Sequence, residues 1–428
     1  MKISWRLLIS LIAIGIIAGV LGMLLSGLLH FVQHHAYGYA LDGSHVPFRI
    51  GVEKASATRR LLVMMICGVI VGVGWYTLRR FGRKLIKNEA LLEKPLQKVP
   101  FGETVCHVLL QTVTVGMGAP LGREGAPREI AAACASAWAR YFQLNEEDAR
   151  LLVACATGAA LAAVYNVPLA GAVFALEVML GAWSQRAVTA TLLTSVVATS
   201  ITRYGWGDMV QYQLPQAFLN VPLMAWAACV GPIIGVMATF FRRTTLLFPR
   251  LPRDDPRIVG VALLAFTGIG LLAMYFPDIL GNGRAGNQLG FGGLISGEGS
   301  FELFTAKWIA ISLALAAGAC GGLMTASMMM GNMFAVACAF LWNLFLPTMS
   351  VEAAALLGAM AFLAVSRKMT ITTLIFALEL TRVSGAFLLP LAICVTGAVL
   401  AEQWMDQVRF AKLKQLGAAA VAGSKEAK

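Results

Sequence analysis

One glutamate sits among four glycines in the window Gly116-Met117-Gly118-Ala119-Pro120-Leu121-Gly122-Arg123-Glu124-Gly125-Ala126-Pro127. Glycines at 116, 118, 122 and 125 let the backbone approach a ligand closely, and Pro127 suits the first turn of a helix starting near it. A helix N-terminus buried at membrane depth points unpaired N–H groups and a positive dipole end at whatever lies there, an anion site that needs no basic side chain. Glu124 can fill that site as a carboxylate or leave it when protonated, which describes a gate that carries protons. The competing reading is a solvated cluster of Arg123, Glu124, Arg128 and Glu129 at a membrane surface, with Glu124 and Arg128 an i,i+4 pair.

The chain that must position this window is a membrane chain. Its 428 residues are 58% hydrophobic and 13% charged, with mean hydropathy +0.74, against roughly 25% charged in soluble proteins. A net charge of +12 reflects basic residues at the ends of apolar runs, so topology explains it and nucleic acid is not an implied partner. The densest basic loop, from Arg79 through Lys84 with Lys87, Lys94 and Lys98, is predicted to be cytoplasmic, as is the N-terminus with Lys2 and Arg6. The eight cysteines form no CxxC pair and read as small packing residues. With no HExxH, no GxSxG and no Cys/His cluster, neither a metal, a cofactor nor enzymatic chemistry is indicated. Leu7 to Val32 is longer than a signal-peptide apolar region and reads as a retained first helix.

Apolar segments fall near 7–32, 61–78, 104–121, 150–164, 167–182, 187–202, 219–240, 258–276, 306–325, 328–346, 352–365, 369–381 and 386–404. Several are well short of the roughly 20 residues that a spanning helix needs. The predicted fold is therefore an all-α polytopic membrane protein with many tilted and discontinuous helices. Phe174-Ala175-Leu176-Glu177 recurs as Phe376-Ala377-Leu378-Glu379, an offset of 202, and the same offset pairs Gly116 with Gly318. This predicts two duplicated modules, residues 1–215 and 216–416, followed by a disordered tail at 417–428.

Three motifs carry a resemblance. Gly122-Arg123-Glu124-Gly125, Tyr165-Asn166-Val167-Pro168-Leu169-Ala170-Gly171 through Glu177, and Gly318-Ala319-Cys320-Gly321-Gly322-Leu323-Met324-Thr325-Ala326 are similar in order and spacing to the signature segments of the CLC chloride channel and transporter family. The resemblance spans Leu7 to about Leu416. It implies a homodimer of inverted-repeat subunits, each with one halide pathway on which helix N-termini from both halves converge. It makes Glu124 the gating and proton-carrying glutamate, and the backbone of Gly122, Arg123, Gly125, Leu323, Met324 and Thr325 the anion-binding groups.

The chain also departs from the family. The family's serine loop falls at Gly82-Arg83-Lys84-Leu85-Ile86 and its late tyrosine near Phe410, so Lys84 and Phe410 would line the pore and the central site is expected to lack its usual hydroxyl donors, leaving backbone N–H groups and Thr325 to supply the contacts. Many proton-coupled members carry an inner glutamate where this chain has Val178. A passive channel and an antiporter with another proton route both remain open. So do chloride, the family's common substrate, and fluoride, since the fluoride-exporting branch resembles this chain in lacking the inner glutamate and the central serine. A prokaryotic plasma (inner) membrane is the expected home. Glu177 and Glu379 read as structural groups at helix ends, Gly281-Asn282-Gly283-Arg284-Ala285-Gly286 as a flexible link, and Trp5, Trp75, Trp226, Trp308, Trp342 and Trp404 as interfacial anchors.

Overall fold

The computed structural model describes residues 4–39, 47–247 and 255–426. The first half comprises α1 (Trp5–Tyr37), α2 (Phe48–Lys54), α3 (Ala57–Phe81), α4 (Asn88–Glu93), α5 (Phe101–Gly116), α6 (Gly125–Tyr141), α7 (Glu146–Tyr165), α8 (Pro168–Phe174) with a π-helical turn Ala175–Leu180, and α9 (Gln185–Trp206). The second comprises α10 (Val221–Leu247), α11 (Arg257–Tyr275), α12 (Arg284–Phe291), α13 (Gly297–Ala316), α14 (Met324–Phe345), α15 (Val351–Arg367), α16 (Thr370–Thr381) and α17 (Leu388–Glu426). Among the described residues, eight helices are long and apolar enough to cross a membrane, while α8 and α16 are short apolar pieces.

Each predicted apolar segment corresponds to a helix, but the segments near 104–121 and 306–325 run past the ends of α5 and α13 into Gly-rich turns. Helix α6 has no counterpart among those segments. It is rich in Ala and carries Arg128, Glu129 and Arg140, so its hydropathy is low, yet Ala131, Ala132, Ala133, Ala135 and Ala139 are fully buried. Small side chains let it pack against protein rather than lipid. The Ala-rich stretch expected to be a disordered tail continues α17 in helical backbone as far as Glu426, consistent with the high helix propensity of alanine.

The halves use their helices alike. α1 packs on α9 and α7 as α10 packs on α17 and α15, and α5 on α6 as α13 on α14. α7 and α15 are the central struts, buried along nearly their whole length. Both end on a left-handed residue, Asn166 (φ 61°) and Lys368 (φ 54°), two residues before the next helix begins. The Gly-rich turns pair differently from the sequence expectation: Gly118 (φ 109°) matches Gly318 (φ 77°), an offset of 200. α14 then runs five residues longer than α6 and α15 three shorter than α7, so the register changes between the Gly-rich turns and the Phe-Ala-Leu-Glu repeat.

Glu177 and Glu379 tie the halves together. Glu177 accepts the N–H groups of Ile371 (2.9 Å) and Thr372 (2.7 Å) at the start of α16, together with the Thr372 hydroxyl. Glu379 accepts those of Leu169 (3.0 Å) and Ala170 (2.7 Å) at the start of α8. Each half's glutamate thus caps a helix of the other, the structural role expected for both. A hydrogen bond to a charged group contributes about 1.5–3 kcal/mol. Glu177→Ala and Glu379→Ala are each expected to lower stability by roughly 3 kcal/mol on that basis, read as a clear drop in thermal unfolding midpoint in detergent. An unchanged midpoint would show that water caps these ends as well.

Two other expectations are corrected. Trp75 and Trp226 are buried, at 1% and 0% exposure, and are core residues rather than interfacial anchors; Trp75 donates to His107 Nδ1 at 3.0 Å. The segment 281–286 is no flexible link, since Gly281 N–H donates to Gly118 O at 2.8 Å. Buried Lys307 holds the same turn by donating to the carbonyls of Ile279 (2.6 Å) and Gly281 (2.7 Å).

Candidate functional site

The two Gly-rich turns meet at the centre of the molecule. Gly122 N–H donates to Gly322 O (2.5 Å) and Gly322 N–H to Gly122 O (2.9 Å), an antiparallel bridge between the halves. α6 starts three residues after Gly122 and α14 two residues after Gly322, so two helix N-termini converge on one point. Glu124 occupies it and is 1% exposed. Its Oε1 accepts the Met324 N–H at 2.7 Å and its Oε2 accepts the Tyr165 hydroxyl at 2.9 Å. That hydroxyl also lies 2.8 Å from Thr325 Oγ1. A carboxylate is thus held by the N-terminus of α14 and by one hydroxyl from α7, itself bonded to Thr325, with no ion pair to it among the described residues. This is the donor set expected of an anion site.

The surface-cluster reading of Arg123, Glu124, Arg128 and Glu129 does not survive this geometry. Arg128 Nε donates to the backbone carbonyl of Glu124 at 3.1 Å, not to its carboxylate, and its guanidinium lies over the Phe174 ring. Arg123 turns away, donating to Val164 O (3.2 Å) and Gln211 Oε1 (3.4 Å) and stacking 5.2 Å from the Tyr165 ring centroid. Glu129 faces α5, where Gln111 Nε2 donates to it at 2.9 Å and His107 Nε2 lies 3.3 Å away.

The site residues read from sequence fare unevenly. Glu124, Gly122, Met324 and Thr325 come together, and Gly125 and Leu323 flank them as the first residue of α6 and the N-cap of α14. The Gly122 N–H is committed to the bridge with Gly322, so its contribution is close approach rather than donation. A side chain at Gly122 or at Gly322 would collide with the Glu124 carboxylate, which explains both glycines. Lys84 is exposed in the coil before α4 and is not a partner of Glu124. Phe410 lies on the backbone of α17, and its side chain falls outside the described residues. At the Glu124 carboxylate, which is a different place from the family's serine and late-tyrosine positions, the hydroxyl donor is Tyr165, backed by Thr325. Tyr165 lies within one of the signature motifs, yet sequence reasoning missed it as a site residue. Its place directly before Asn166-Val167-Pro168 marks where α7 stops, but nothing in the sequence ties its hydroxyl to Glu124.

Comparisons with known proteins bear on the family and the fold. Residues 67–403 match the family model described as voltage gated chloride channel. The chain is 24% identical over 427 residues to the H(+)/Cl(-) exchange transporter ClcA of Vibrio campbellii, covering 94% of this chain and 87% of that protein. It is 27% identical over 359 residues to the voltage-gated ClC-type chloride channel ClcB of Citrobacter koseri, covering 81% and 84%. Its fold is similar to that of a slow cyanobacterial Cl-/H+ antiporter, with TM-score 0.81, 20% identity, and 94% and 96% of the two chains covered. A CLC-type fluoride/proton antiporter gives TM-score 0.68 at 19% identity, covering 93% and 95%. The all-α, inverted-repeat architecture, the buried glutamate at paired helix N-termini and the match over most of the chain lead to one conclusion: this multi-pass membrane protein belongs to the CLC voltage-gated chloride channel family.

Proposed function

We propose that this protein transports a halide, chloride by preference, and that Glu124 is its gate. The observation that carries the reading is the seat of the Glu124 carboxylate. The Met324 N–H and the Tyr165 hydroxyl, the latter braced by Thr325, are donors an anion can use, so carboxylate and halide compete for them. The backbone of Gly122, Arg123, Gly125 and Leu323 shapes the same path, while the pore-lining roles of Lys84 and Phe410 rest on the family resemblance alone. Protonation of Glu124 removes the charge that favours this seat and releases it, so halide movement in one direction accompanies proton movement in the other. The exchanger activity named for the Vibrio relative supports coupling; Val178, in place of the family's inner glutamate, favours the passive channel as the second reading. Hydroxyl donors beside Glu124 also suit fluoride, a strong hydrogen-bond acceptor.

The supporting frame is a homodimer in the plasma (inner) membrane of a prokaryote, with modules 1–215 and 216–416 and the tail 417–428 appended. Its relatives are transporters, and no enzymatic step is proposed. Chemical cross-linking in native membranes tests the dimer: a cross-linked species of twice the monomer mass is expected, and monomer alone would sink that part.

The decisive experiment is reconstitution in liposomes under a chloride or a fluoride gradient, recording anion efflux and external pH together. Proton movement driven uphill by the anion gradient establishes exchange, and the faster anion names the substrate. Anion flux alone establishes the channel, and no flux of either halide would refute the proposal. A further expectation concerns Tyr165. Its hydroxyl is a donor that the carboxylate and the halide would share, and a hydrogen bond to a charged group contributes about 1.5–3 kcal/mol. Tyr165→Phe in a Glu124→Ala background, where only the halide uses it, should therefore raise the half-saturating halide concentration by roughly tenfold. An unchanged half-saturating concentration would mean that the halide does not use this hydroxyl.

A further inference from the structure

A cavity of about 500 Å³ opens beside the Glu124 turn, at the end of the molecule where α1 finishes. In the orientation predicted from the basic loops, this is the external side. Four arginines line it, Arg49, Arg123, Arg203 and Arg284, and among the described residues no Asp or Glu does. Arg49 is paired with Glu53 (2.6 Å) and Arg203 with Asp208 (3.2 Å). Arg123 and Arg284 have no carboxylate partner among the described residues. The Nε of each is buried without a hydrogen-bond acceptor, and the two guanidiniums act on one another as like charges.

Burying a cation without a counter-charge is unfavourable, and placing a second beside it more so. The usual resolution is a carboxylate, and the described residues supply none here. Arg284 is the first residue of α12, fixed by its N–H bond to Asn282 Oδ1 (3.2 Å) and by the Lys307-held turn that precedes it. Arg123 is fixed by Val164 O and by the Tyr165 ring. The Arg123 charge is therefore held in place, and the backbone of Arg284 anchors the second guanidinium at the wall of the same cavity.

We propose that Arg123 and Arg284 form an outer binding site for a monovalent anion, separate from the seat occupied by the Glu124 carboxylate. The anion supplies the missing counter-charge, and its release delivers it to the turn that carries Glu124. Arg284 is the residue specific to this site, because Arg123 also belongs to the Glu124 turn itself. The site concentrates halide on one face of the membrane only.

The test uses the full-length protein in two ways. Wild-type crystals are soaked in bromide and its anomalous scattering located, with a bromide expected within hydrogen-bond distance of both guanidiniums. Its absence there, at concentrations that place bromide elsewhere along the path, would overturn the site. Flux is then measured in liposomes against halide concentration on each side separately. Arg284→Gln is expected to raise the half-saturating concentration on the cavity side by roughly tenfold, leaving the other side unchanged, with Arg284→Lys in between. An equal change on both sides, or none, would also overturn it. The crystal measurement needs no variant, so it decides for or against the site even where Arg284→Gln misfolds.

Discussion

Replacing Glu124 by alanine is expected to abolish proton movement altogether and to leave a halide flux that no longer depends on pH. In the wild type the carboxylate occupies the Met324 N–H at 2.7 Å and the Tyr165 hydroxyl at 2.9 Å. The donors remain when the side chain is removed, so the halide finds the site vacant at every pH. Two charge-assisted bonds at about 1.5–3 kcal/mol each are the competition the halide no longer faces, enough to raise its occupancy of the seat by tenfold or more. Liposome flux between pH 5 and 8 gives the readout. Retained proton movement in Glu124→Ala would place the proton path elsewhere. A retained pH dependence without proton movement would place the gate elsewhere.

The second large effect concerns Gly322. A methyl group there would meet the Glu124 carboxylate and stand in the space that the carboxylate and the halide share. Overpacking costs roughly 1–3 kcal/mol, which applied to anion occupancy is about 5- to 150-fold. Gly322→Ala should therefore lower halide flux by at least the smaller of these factors. It should do so even in a Glu124→Ala background, because the methyl obstructs the anion directly. If flux recovers fully in the double variant, the methyl acts on the carboxylate alone and the two do not share a seat. If Gly322→Ala alone transports like the wild type, the competition picture fails.

These effects follow from a site that was half legible in the sequence. Glu124 among glycines announces itself because an ionisable group at membrane depth is costly and glycines mark close approach. Thr325 stands out for its nearness to a second Gly-rich stretch. Tyr165 does not: its partners Glu124 and Thr325 are 41 and 160 residues away, and only tertiary packing brings a hydroxyl from α7 onto a carboxylate beside α6. Arg284 is hidden for a similar reason. It sits in a stretch whose glycines suggest flexibility, while the group that fixes that stretch, Lys307, lies on α13.

The fold was more legible than the site, because apolar runs long enough to be helices are visible one by one. The failures share a cause. α6 is buried by protein, so alanine and even charge serve it where lipid would demand leucine. The Gly118 to Gly318 match hides behind a register change of the kind that hydropathy cannot see, since it is absorbed by helix lengths. Trp75 and Trp226 show the same limit in reverse: the residue type favours an interface, and packing places both in the core.

The exchange of caps by Glu177 and Glu379 has a consequence for how the molecule is made. A ribosome delivers α8 some two hundred residues before Glu379, so the N–H groups of Leu169 and Ala170 wait without this cap while the second half is still being synthesised. Until that half arrives these groups must be satisfied by another partner such as water, and the order of synthesis leaves Glu177 ready when α16 emerges while α8 alone is kept waiting.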